Sequence, residues 1–450
     1  MDKPNEKKMR DPQAWLEFNS DFVLRHLNDP LPKEHVLITG VAQNWVQNNF
    51  LLPFEWLDAD TLRSPRLRFI TNPDEWSNEQ LYDAAVLTLN MLSLANNNNA
   101  DLKDASAWNI VYKGCRPYFC DHTSFQMLKY KTWWAGGQFV RHFISPLWLA
   151  SETGLNSNDL FKISRDGADP ELVKSTLGLR RFLSRCWPLL LSSTSESIAA
   201  AFEYKNGSQT NINIYRGQLL SSLKWMINGV SPDKSSKTRW ASYTKIRQHY
   251  TSNSLEFKRQ KVALWLRSSQ PKWTLDLGCN SGEFTELAVN EGSQVIAIDG
   301  DHDAIQMLYK RFSNNETVHP VLASLDDIHS GRGWAGNEHA GLYNRLGGLS
   351  DVVMMLALIH HLGIASSIPL KQIASLAIHC TKKWLIVELF DVVDSQLDWM
   401  CTQHQRSVND FSISKQREAF LEIGFKLVEE VKIPDSFRSL VLFEKIVIAD

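Results

Sequence analysis

A glycine-containing turn between an apolar run and a helix-like run constrains the fold of this chain more than any other feature. Residues 274–284 read Thr-Leu-Asp-Leu-Gly-Cys-Asn-Ser-Gly-Glu-Phe. The apolar run leads into Asp276, and Gly278, Asn280 and Gly282 follow it. Glycines let a backbone turn tightly and approach a ligand, and the N-terminus of the next helix offers unpaired N–H groups. The segment therefore predicts a strand, a ligand-binding turn and a helix.

Strands and helices are predicted to alternate from this turn to the end of the chain. Alternation of this kind favours an α/β fold with a parallel, doubly wound sheet. The predicted strands are 272–277, 294–299, 319–323, 351–356 and 383–389, and the intervening helices include 283–290 and 303–312. The tail differs, because helix 414–423 precedes strands 426–433 and 440–447, which only a short link separates. A short link makes these last two strands antiparallel neighbours.

Composition excludes several classes of protein. The 450 residues include 48 Lys and Arg against 50 Asp and Glu, so the chain lacks the general basic excess of a protein that coats nucleic acid. Six cysteines without zinc-like spacing predict free thiols in a reducing cytoplasm and no metal site. No apolar stretch approaches the ~18 residues of a membrane span, so we expect no contact with a membrane.

Two carboxylates follow later strands of the predicted sheet. Asp299 ends the second strand, 17 residues after Gly282, and a carboxylate there can accept hydrogen bonds from both hydroxyls of a ribose. Asp326 follows the third strand, where it can meet an adenine amino group. The turn itself lacks the spacing of the dinucleotide fingerprint G-x-G-x-x-G. An ordinary strand-to-helix turn in a protein of another function is the alternative.

Over residues 240–450 the pattern D-x-G-x-N-x-G, with an acidic residue ending the next strand, resembles the class I S-adenosylmethionine-dependent methyltransferases. The resemblance implies a Rossmann-like domain and S-adenosylmethionine as cofactor. Gly278 and Gly282 would line its methionine part, and Asn280 stands where the family most often has glycine. Asp276 would contact the amino-acid end, and the remaining two carboxylates would hold the ribose (Asp299) and the adenine (Asp326).

The whole chain also resembles a narrower group, the bacterial methyltransferases similar to nodulation-type proteins. Residues 102–109, 116–125, 138–143 and 356–362 carry this resemblance. It implies no defined substrate. The polar segment 231–238 predicts a boundary between domains. We expect a mixed α+β accessory domain over 1–150, a helical connection over 151–238 and the Rossmann-like domain over 239–450, with the N-terminal half mostly helical.

Candidate catalytic residues lie at the ligand-binding edge of the predicted sheet. His360 and His361 follow the fourth strand, and a histidine there can deprotonate a hydroxyl near neutral pH. Glu388 ends the fifth strand and is a candidate second base. The region has no Asn-Pro-Pro-Tyr, the signature of amino methylation on DNA bases, and no nearby cysteine for attack on a pyrimidine. These features favour O-methylation, although both histidines could instead be structural.

Residues 233–261 contain eight basic residues with interleaved aromatic residues, among them Tyr250 and Lys258. Such a stretch can bind RNA, so an RNA methyltransferase is an alternative, while a solvated helix is the structural interpretation. Tyr250 and Lys258 could also close over the carboxylate of the cofactor.

A second resemblance lies in the N-terminal half. Asp104 precedes Asn109 by five residues, and Asp121 follows after twelve more, across a predicted hairpin of strands 110–112 and 117–120. This spacing resembles the catalytic and metal-binding residues of protein kinases and aminoglycoside-type phosphotransferases. It implies a kinase-like remnant or a nucleotide-binding protein, and a plain hairpin is the alternative.

Together these features predict a cytoplasmic methyltransferase whose acceptor is a small-molecule or glycan-type hydroxyl compound. Nucleic acid is not the expected partner, and the sequence leaves the oligomeric state open.

Overall fold

A computed structural model of the protein describes residues 6–7, 13–130, 132–186, 209–232, 251–328, 331–393 and 395–446. The chain divides into an N-terminal unit, Met1–Ser235, and a C-terminal unit, Ser236–Asp450.

The N-terminal unit begins with a five-stranded antiparallel sheet that the hydrophobic periodicity did not predict. Its strands are half-buried and lack strict alternation, which leaves little signal in the sequence. The order across the sheet is β1-β2-β3-β5-β4. The strands are β1 (Glu6–Lys7), β2 (Ala14–Phe18), β3 (Phe22–Leu27), β4 (Glu55–Trp56) and β5 (Thr61–Pro65).

Two short strand pairs follow. Strand β6 (Ala100–Leu102) pairs with β9 (Phe125–Met127), and the pair encloses the hairpin of β7 (Ile110–Lys113) and β8 (Arg116–Phe119). The predicted hairpin is therefore confirmed. Gly114 makes its turn with a left-handed backbone, φ 60°.

Helices make up the rest of the N-terminal unit. The longest two, α2 (Asn78–Asn97) and α7 (Gln209–Gly229), pack against each other. The others are α1 (Val41–Gln47), α3 (Gly136–Phe139), α4 (Ser145–Thr153), α5 (Ser157–Ile163) and α6 (Pro170–Leu177), and a π-helical stretch, Val140–Ile144, joins α3 to α4. Helix α2 begins with a capping box in which the side chains of Ser77 and Gln80 pair reciprocally with backbone N–H groups.

The C-terminal unit is built on a seven-stranded sheet of order β12-β11-β10-β13-β14-β16-β15. The strands are β10 (Trp273–Leu277), β11 (Gln294–Asp299), β12 (Val318–Leu322), β13 (Ser350–Met355), β14 (Thr381–Phe390), β15 (Phe425–Lys432) and β16 (Arg438–Lys445). The pairs from β12 to β14 are parallel, and β16 runs antiparallel to both β14 and β15. The predicted Rossmann-like sheet, with its antiparallel end, is confirmed.

Helices connect and cover this sheet. They are α8 (Ser252–Ser269), α9 (Glu283–Asn290), α10 (His302–Arg311), α11 (Leu342–Leu346), α12 (Leu370–Cys380), α13 (Ser395–Gln403) and α14 (Ile413–Glu422). On one face, Val262, Trp265 and Leu266 of α8 form a buried cluster with Val352 and Met354 of β13. Within the described ranges no helix has the length and apolar character needed to cross a membrane.

A fully buried ion pair stabilises the N-terminal unit. The guanidinium of Arg216 on α7 lies 2.6 Å from a carboxylate oxygen of Asp101 on β6, and both side chains are almost inaccessible to solvent. The same guanidinium also donates hydrogen bonds to the carbonyl oxygens of Tyr130 and Thr132. The pair thus joins a helix to a strand and to an irregular segment.

Replacing Asp101 by Asn should destabilise the protein by about 3 kcal/mol, because it leaves a buried guanidinium without its counter-charge. Asp159→Asn is the matched control, since it breaks an exposed pair with Lys162 that contributes less than about 1 kcal/mol. Urea unfolding measures both losses. Equal losses for the two variants would contradict the stabilising role of the buried pair.

Candidate functional site

The C-terminal unit has a cavity of about 450 Å³ at the carboxyl ends of β10, β11, β12 and β13. Ligands of open α/β sheets bind at this edge because the strand-to-helix turns converge there. The structure brings six of the nine residues proposed from the sequence into the lining or the turn beside it: Asp276, Gly278, Asn280, Asp299, Asp326 and His361. Gly282 begins the helix behind the turn, while His360 and Glu388 lie outside the lining.

The turn after β10 depends on three residues with left-handed backbone: Gly278 (φ 75°), Asn280 (φ 49°) and Gly282 (φ 88°). Asparagine tolerates this conformation better than most residues because its short side chain hydrogen-bonds locally. Here the Asn280 side-chain oxygen accepts the N–H of Ser281 at 2.7 Å. Asn280 therefore holds the left-handed conformation that the turn has at this position.

The packing around Gly282 leaves no room for a side chain. It stands at the start of α9, and a Cβ atom added to it would lie 2.1 Å from a methyl carbon of Leu308 on α10. The two helices can approach this closely only because the residue has no side chain.

The carboxylate of Asp299 fixes the turn to the end of β11. One oxygen accepts the backbone N–H of Asn280 at 2.8 Å, and the other accepts the N–H of Asp301 at 2.8 Å. Burial raises the pKa of Asp299, and these backbone hydrogen bonds oppose the rise. Since each carboxylate oxygen can accept more than one hydrogen bond, Asp299 can also bind hydroxyls in the cavity.

Asp276 lies deeper, at the end of β10. Thr285 on α9 donates its hydroxyl to the carboxylate at 2.7 Å. Burial raises the pKa of Asp276 to about 6, and the nearby Lys258 opposes that rise. Asp276 is therefore mostly ionised at neutral pH and can accept a hydrogen bond from a cationic group.

Asp326 also lines the cavity, and it is exposed to solvent. Its carboxylate accepts hydrogen bonds from the hydroxyls of Ser324 and of Ser366, the latter at 2.6 Å. These bonds lower its pKa. They also join the segment after β12 to the segment after β13, so that both border the same end of the cavity.

The two neighbouring histidines differ in position. The chain leaves β13 through Ala357, whose backbone is left-handed (φ 53°), and enters a π-helical turn, His361–Ala365. His361 lines the cavity, whereas His360 packs edge-on against Phe390 with ring centroids 5.7 Å apart. Burial lowers the pKa of both rings, and the positive charge of Arg438 adds to the effect. His361 is thus a neutral imidazole at the cavity wall.

Glu388 is held below the cavity. Its carboxylate oxygens accept hydrogen bonds from Lys258 at 2.5 Å and from Arg438 at 2.9 Å. Lys258, and not Glu388, reaches the cavity lining. The sequence carried a signal for this lysine, because it lies four residues before Val262 and eight before Leu266, on the buried face of α8.

The basic stretch at 233–261 is described only from residue 251 onward, and its Tyr250 lies outside the described residues. In the described part, Arg259 pairs with Glu283 at 2.8 Å and Lys261 pairs with Glu429 at 2.5 Å. These cations face carboxylates of their own unit, which weakens the interpretation as an RNA-binding surface.

The N-terminal set of Asp104, Asn109 and Asp121 also comes together. The Asn109 side chain hydrogen-bonds to Asp104, and burial together with the charge of Asp121 raises the pKa of Asp104. Asp121, however, forms an ion pair with Arg25 at 2.8 Å and accepts the hydroxyls of Thr123 and Ser124. In the part of the chain that the structure covers, no cluster of three or more His, Cys, Asp or Glu side chains could hold a metal ion.

Comparison with known proteins gives one full-length likeness. No family model matches the chain. The chain is 25% identical over 465 residues to the nodulation protein NoeA of Rhizobium meliloti (strain 1021), with 97% of this chain and 95% of that protein covered.

Two solved structures are similar to less than half of the chain. One is the magnesium protoporphyrin IX methyltransferase of Synechocystis PCC 6803, solved with bound SAM. It is 12% identical, covers 47% of this chain and 86% of its own, and has a TM-score of 0.31. The other is the N-methyltransferase NodS of Bradyrhizobium japonicum WM9, which is 15% identical. The similarity covers 44% of this chain and 99% of that one, with a TM-score of 0.32. We assign the fold from the order of the strands in the sheet, and not from structural similarities with TM-scores this low.

Replacing Gly282 by Ala should destabilise the protein by about 1–3 kcal/mol more than Gly292→Ala. Both glycines have a similar left-handed φ, 88° and 83°, so both variants carry the same backbone strain. Only at Gly282 does the new methyl group meet another side chain, since nothing lies within 4 Å of it at Gly292. Chemical unfolding compares the two variants, and equal destabilisation would contradict the close approach of α9 and α10.

Proposed function

We propose that this chain is an S-adenosylmethionine-dependent methyltransferase. The observation that carries the proposal is the junction at the carboxyl edge of the sheet, where the Asp299 carboxylate of β11 is tied to the left-handed turn after β10. That junction borders a cavity that the carboxylates of Asp276 and Asp326 also line. When bound, the cofactor supplies a methyl group already activated by a positively charged sulfur.

The side chains around the cavity fit such a molecule by their chemistry. Asp299 offers a carboxylate to the two ribose hydroxyls. Asp326 offers one to the adenine amino group, and Asp276, mostly ionised at neutral pH, offers one to the ammonium of the amino-acid end. Backbone without side chains at Gly278 leaves space for the methionine part. These roles agree with what the resemblance of the sequence implies.

We propose further that the acceptor is a hydroxyl group of a small-molecule or sugar-containing compound. His361 would remove its proton, because a neutral imidazole at the cavity wall can act as a general base. The protein would otherwise act mainly by holding the acceptor oxygen in line with the methyl group. His360 and Glu388 would then support the site without touching the acceptor.

The two alternatives from the sequence remain predictions without a specific observation in their favour. The described cations of the basic stretch are paired with carboxylates, which does not favour an RNA acceptor. Arg25 neutralises Asp121, which does not favour a nucleotide–metal complex at the kinase-like set.

Calorimetric titration with S-adenosylmethionine tests the proposed cofactor. We expect saturable binding to the wild-type protein and an affinity about 10- to 100-fold lower for Asp299→Asn, since a charged acceptor for two hydroxyls is lost. Asp303→Asn is the matched control, because this neighbouring carboxylate lies outside the cavity lining. If the wild type binds no S-adenosylmethionine, or if both variants bind it as the wild type does, the proposed cofactor site is wrong.

Replacing His361 by Asn should lower the methyl-transfer rate by about 100-fold or more while leaving the affinity for S-adenosylmethionine unchanged. The rate is measured on an acceptor found by screening hydroxylated small molecules and sugars for methyl-donor turnover. Since the pKa of His361 is lowered, the wild-type rate should not fall between pH 7.5 and about 6.5. His379→Asn, a histidine stacked on Tyr343 outside the cavity lining, is the control. An unchanged rate in His361→Asn would remove the histidine as base.

A further inference from the structure

Two exposed apolar side chains stand at the same edge of the C-terminal sheet as the cavity. Val393, three residues after β14, is 59% exposed, and Phe437, the residue before β16, is 54% exposed. The N–H of Asp391 donates a hydrogen bond to the carbonyl oxygen of Phe437 at 2.7 Å, which joins the two segments. Because β16 is antiparallel to β14, it starts at the carboxyl end of β14, where ligands of such sheets bind. Val393 and Phe437 are the apolar rim of this edge.

The apolar rim lies near the strand that leads to His361. Strand β14 separates β13 from β16, and neighbouring strands are about 4.8 Å apart, so β16 is about 10 Å across the sheet from β13. The last residue of β13 pairs with Val387, and β14 continues for three residues more, to Phe390. The edge therefore projects further on the side of the rim. Phe390 also packs against His360, so this projecting part stands next to the histidine pair.

The cavity has room for about one ligand of the cofactor's size. Its volume of about 450 Å³ is near the lower end of the range, about 300–1,000 Å³, in which proteins enclose a small molecule. With the proposed cofactor in place, most of an acceptor must lie outside the lining. Beside His361 the lining is apolar, since Leu358 and Leu362 belong to it. An acceptor that extends from His361 to the apolar rim therefore has apolar side chains at both of its ends.

The chemistry of His361 selects among hydroxyl groups. Burial and the charge of Arg438 lower the pKa of His361, so its imidazole is a weak base. The driving force for proton transfer to a weak base is larger when the donor is more acidic. A phenol hydroxyl, like that of tyrosine, has a pKa of about 10, whereas an aliphatic hydroxyl is far less acidic and approaches water, with a pKa of about 15.7.

Buried charges beside the cavity also favour an acidic hydroxyl. The carboxylate of Glu388 lies between Lys258 and Arg438, so this buried cluster carries one net positive charge. Lys258 is its member in the cavity lining. The negative charge of Asp276, which also lines the cavity, is matched by the ammonium group of the proposed cofactor. A positive charge held in place near the site stabilises the negative charge that develops on an acceptor oxygen.

We propose that the acceptor is a phenol whose hydroxyl lies at His361 and whose aromatic framework extends to the apolar rim. The inference rests on the proposed function and narrows its class of acceptor. The phenol gives its proton to the His361 imidazole, and its oxygen bonds to the methyl carbon as the carbon–sulfur bond breaks and the electron pair stays on sulfur. The products are an aryl methyl ether, S-adenosylhomocysteine and a protonated imidazole, which releases its proton to water.

Matched acceptors test the phenolic class. 2-Naphthol and 4-phenylphenol are compared with decahydro-2-naphthol and 4-cyclohexylcyclohexanol, which keep the apolar framework but carry an aliphatic hydroxyl, and with methyl glucoside, which carries sugar hydroxyls. We expect methylation of at least one phenol with a kcat/KM about 100-fold or more above that of its saturated counterpart. Equal or faster methylation of the saturated alcohols or of the glucoside would overturn the phenolic class.

Substitutions in the apolar rim test where the acceptor lies. Phe437→Ser should raise the KM for the methylated phenol about 10-fold and Val393→Ser about 3-fold, because each removes apolar area that the acceptor covers, while kcat stays within about twofold. Both side chains are more than half exposed, so both variants should fold.

Leu421→Ser is the matched control for the rim. Leu421 is 39% exposed, and it lies near the end of α14, just before β15. Because β15 is antiparallel to β16, it starts at the opposite edge of the sheet from the cavity. A KM that is unchanged in both rim variants, or raised equally in the control, would overturn the role of the apolar rim.

Calorimetric titration with S-adenosylmethionine separates this inference from the proposed function. If the wild type binds S-adenosylmethionine but methylates neither phenol, the phenolic acceptor is wrong and the cofactor site stands. If the wild type binds no S-adenosylmethionine, the proposed function fails and the inference fails with it.

Discussion

The hydrogen bond from the backbone of Asn280 to the carboxylate of Asp299 is the interaction on which the candidate site depends. It joins the turn after β10 to the end of β11, and the parallel pairing of these strands sets the register in which the two groups meet. The left-handed residues of the turn give it the shape that this bond then holds. The same carboxylate therefore fixes the turn and is also an acceptor that faces the cavity. Its substitution should weaken ligand binding more than it destabilises the sheet.

The antiparallel end of the sheet contributes to the site as well. Because β16 lies between β14 and β15, Arg438 at its start comes beside Glu388 at the end of β14. The charge of Arg438 is then close enough to lower the pKa of His361, and the carboxylate it holds is close enough to fix Lys258. A strand that contributes no residue to the cavity lining thus influences the electrostatics of the cavity wall, on which the proposed base depends.

In the N-terminal unit, the spacing of residues in the sequence predicted which side chains lie close together, but it did not predict what those side chains bind. Asp104, Asn109 and Asp121 come together around the hairpin, as the spacing indicated. The ion pair between Asp121 and Arg25 of β3 could not be read from that spacing, because 96 positions separate the two residues in the chain. A neutralised carboxylate is a poor metal ligand, so the likeness to phosphotransferases does not extend to the function that we propose.

The sequence by itself determined the α/β order of the C-terminal unit, the antiparallel last strands and the acidic and glycine positions of the turn, because these follow from local periodicity and backbone preference. Tertiary structure alone decided which side chains reach the cavity. Through a left-handed residue and a π-helical turn it placed His361, and not His360, in the cavity lining. It also placed Lys258 in the lining instead of Glu388, whose carboxylate is bound between two cations. The second of these choices depends on contacts between residues 50 and 130 positions apart, and pairing at that range leaves no periodic signal in a single sequence.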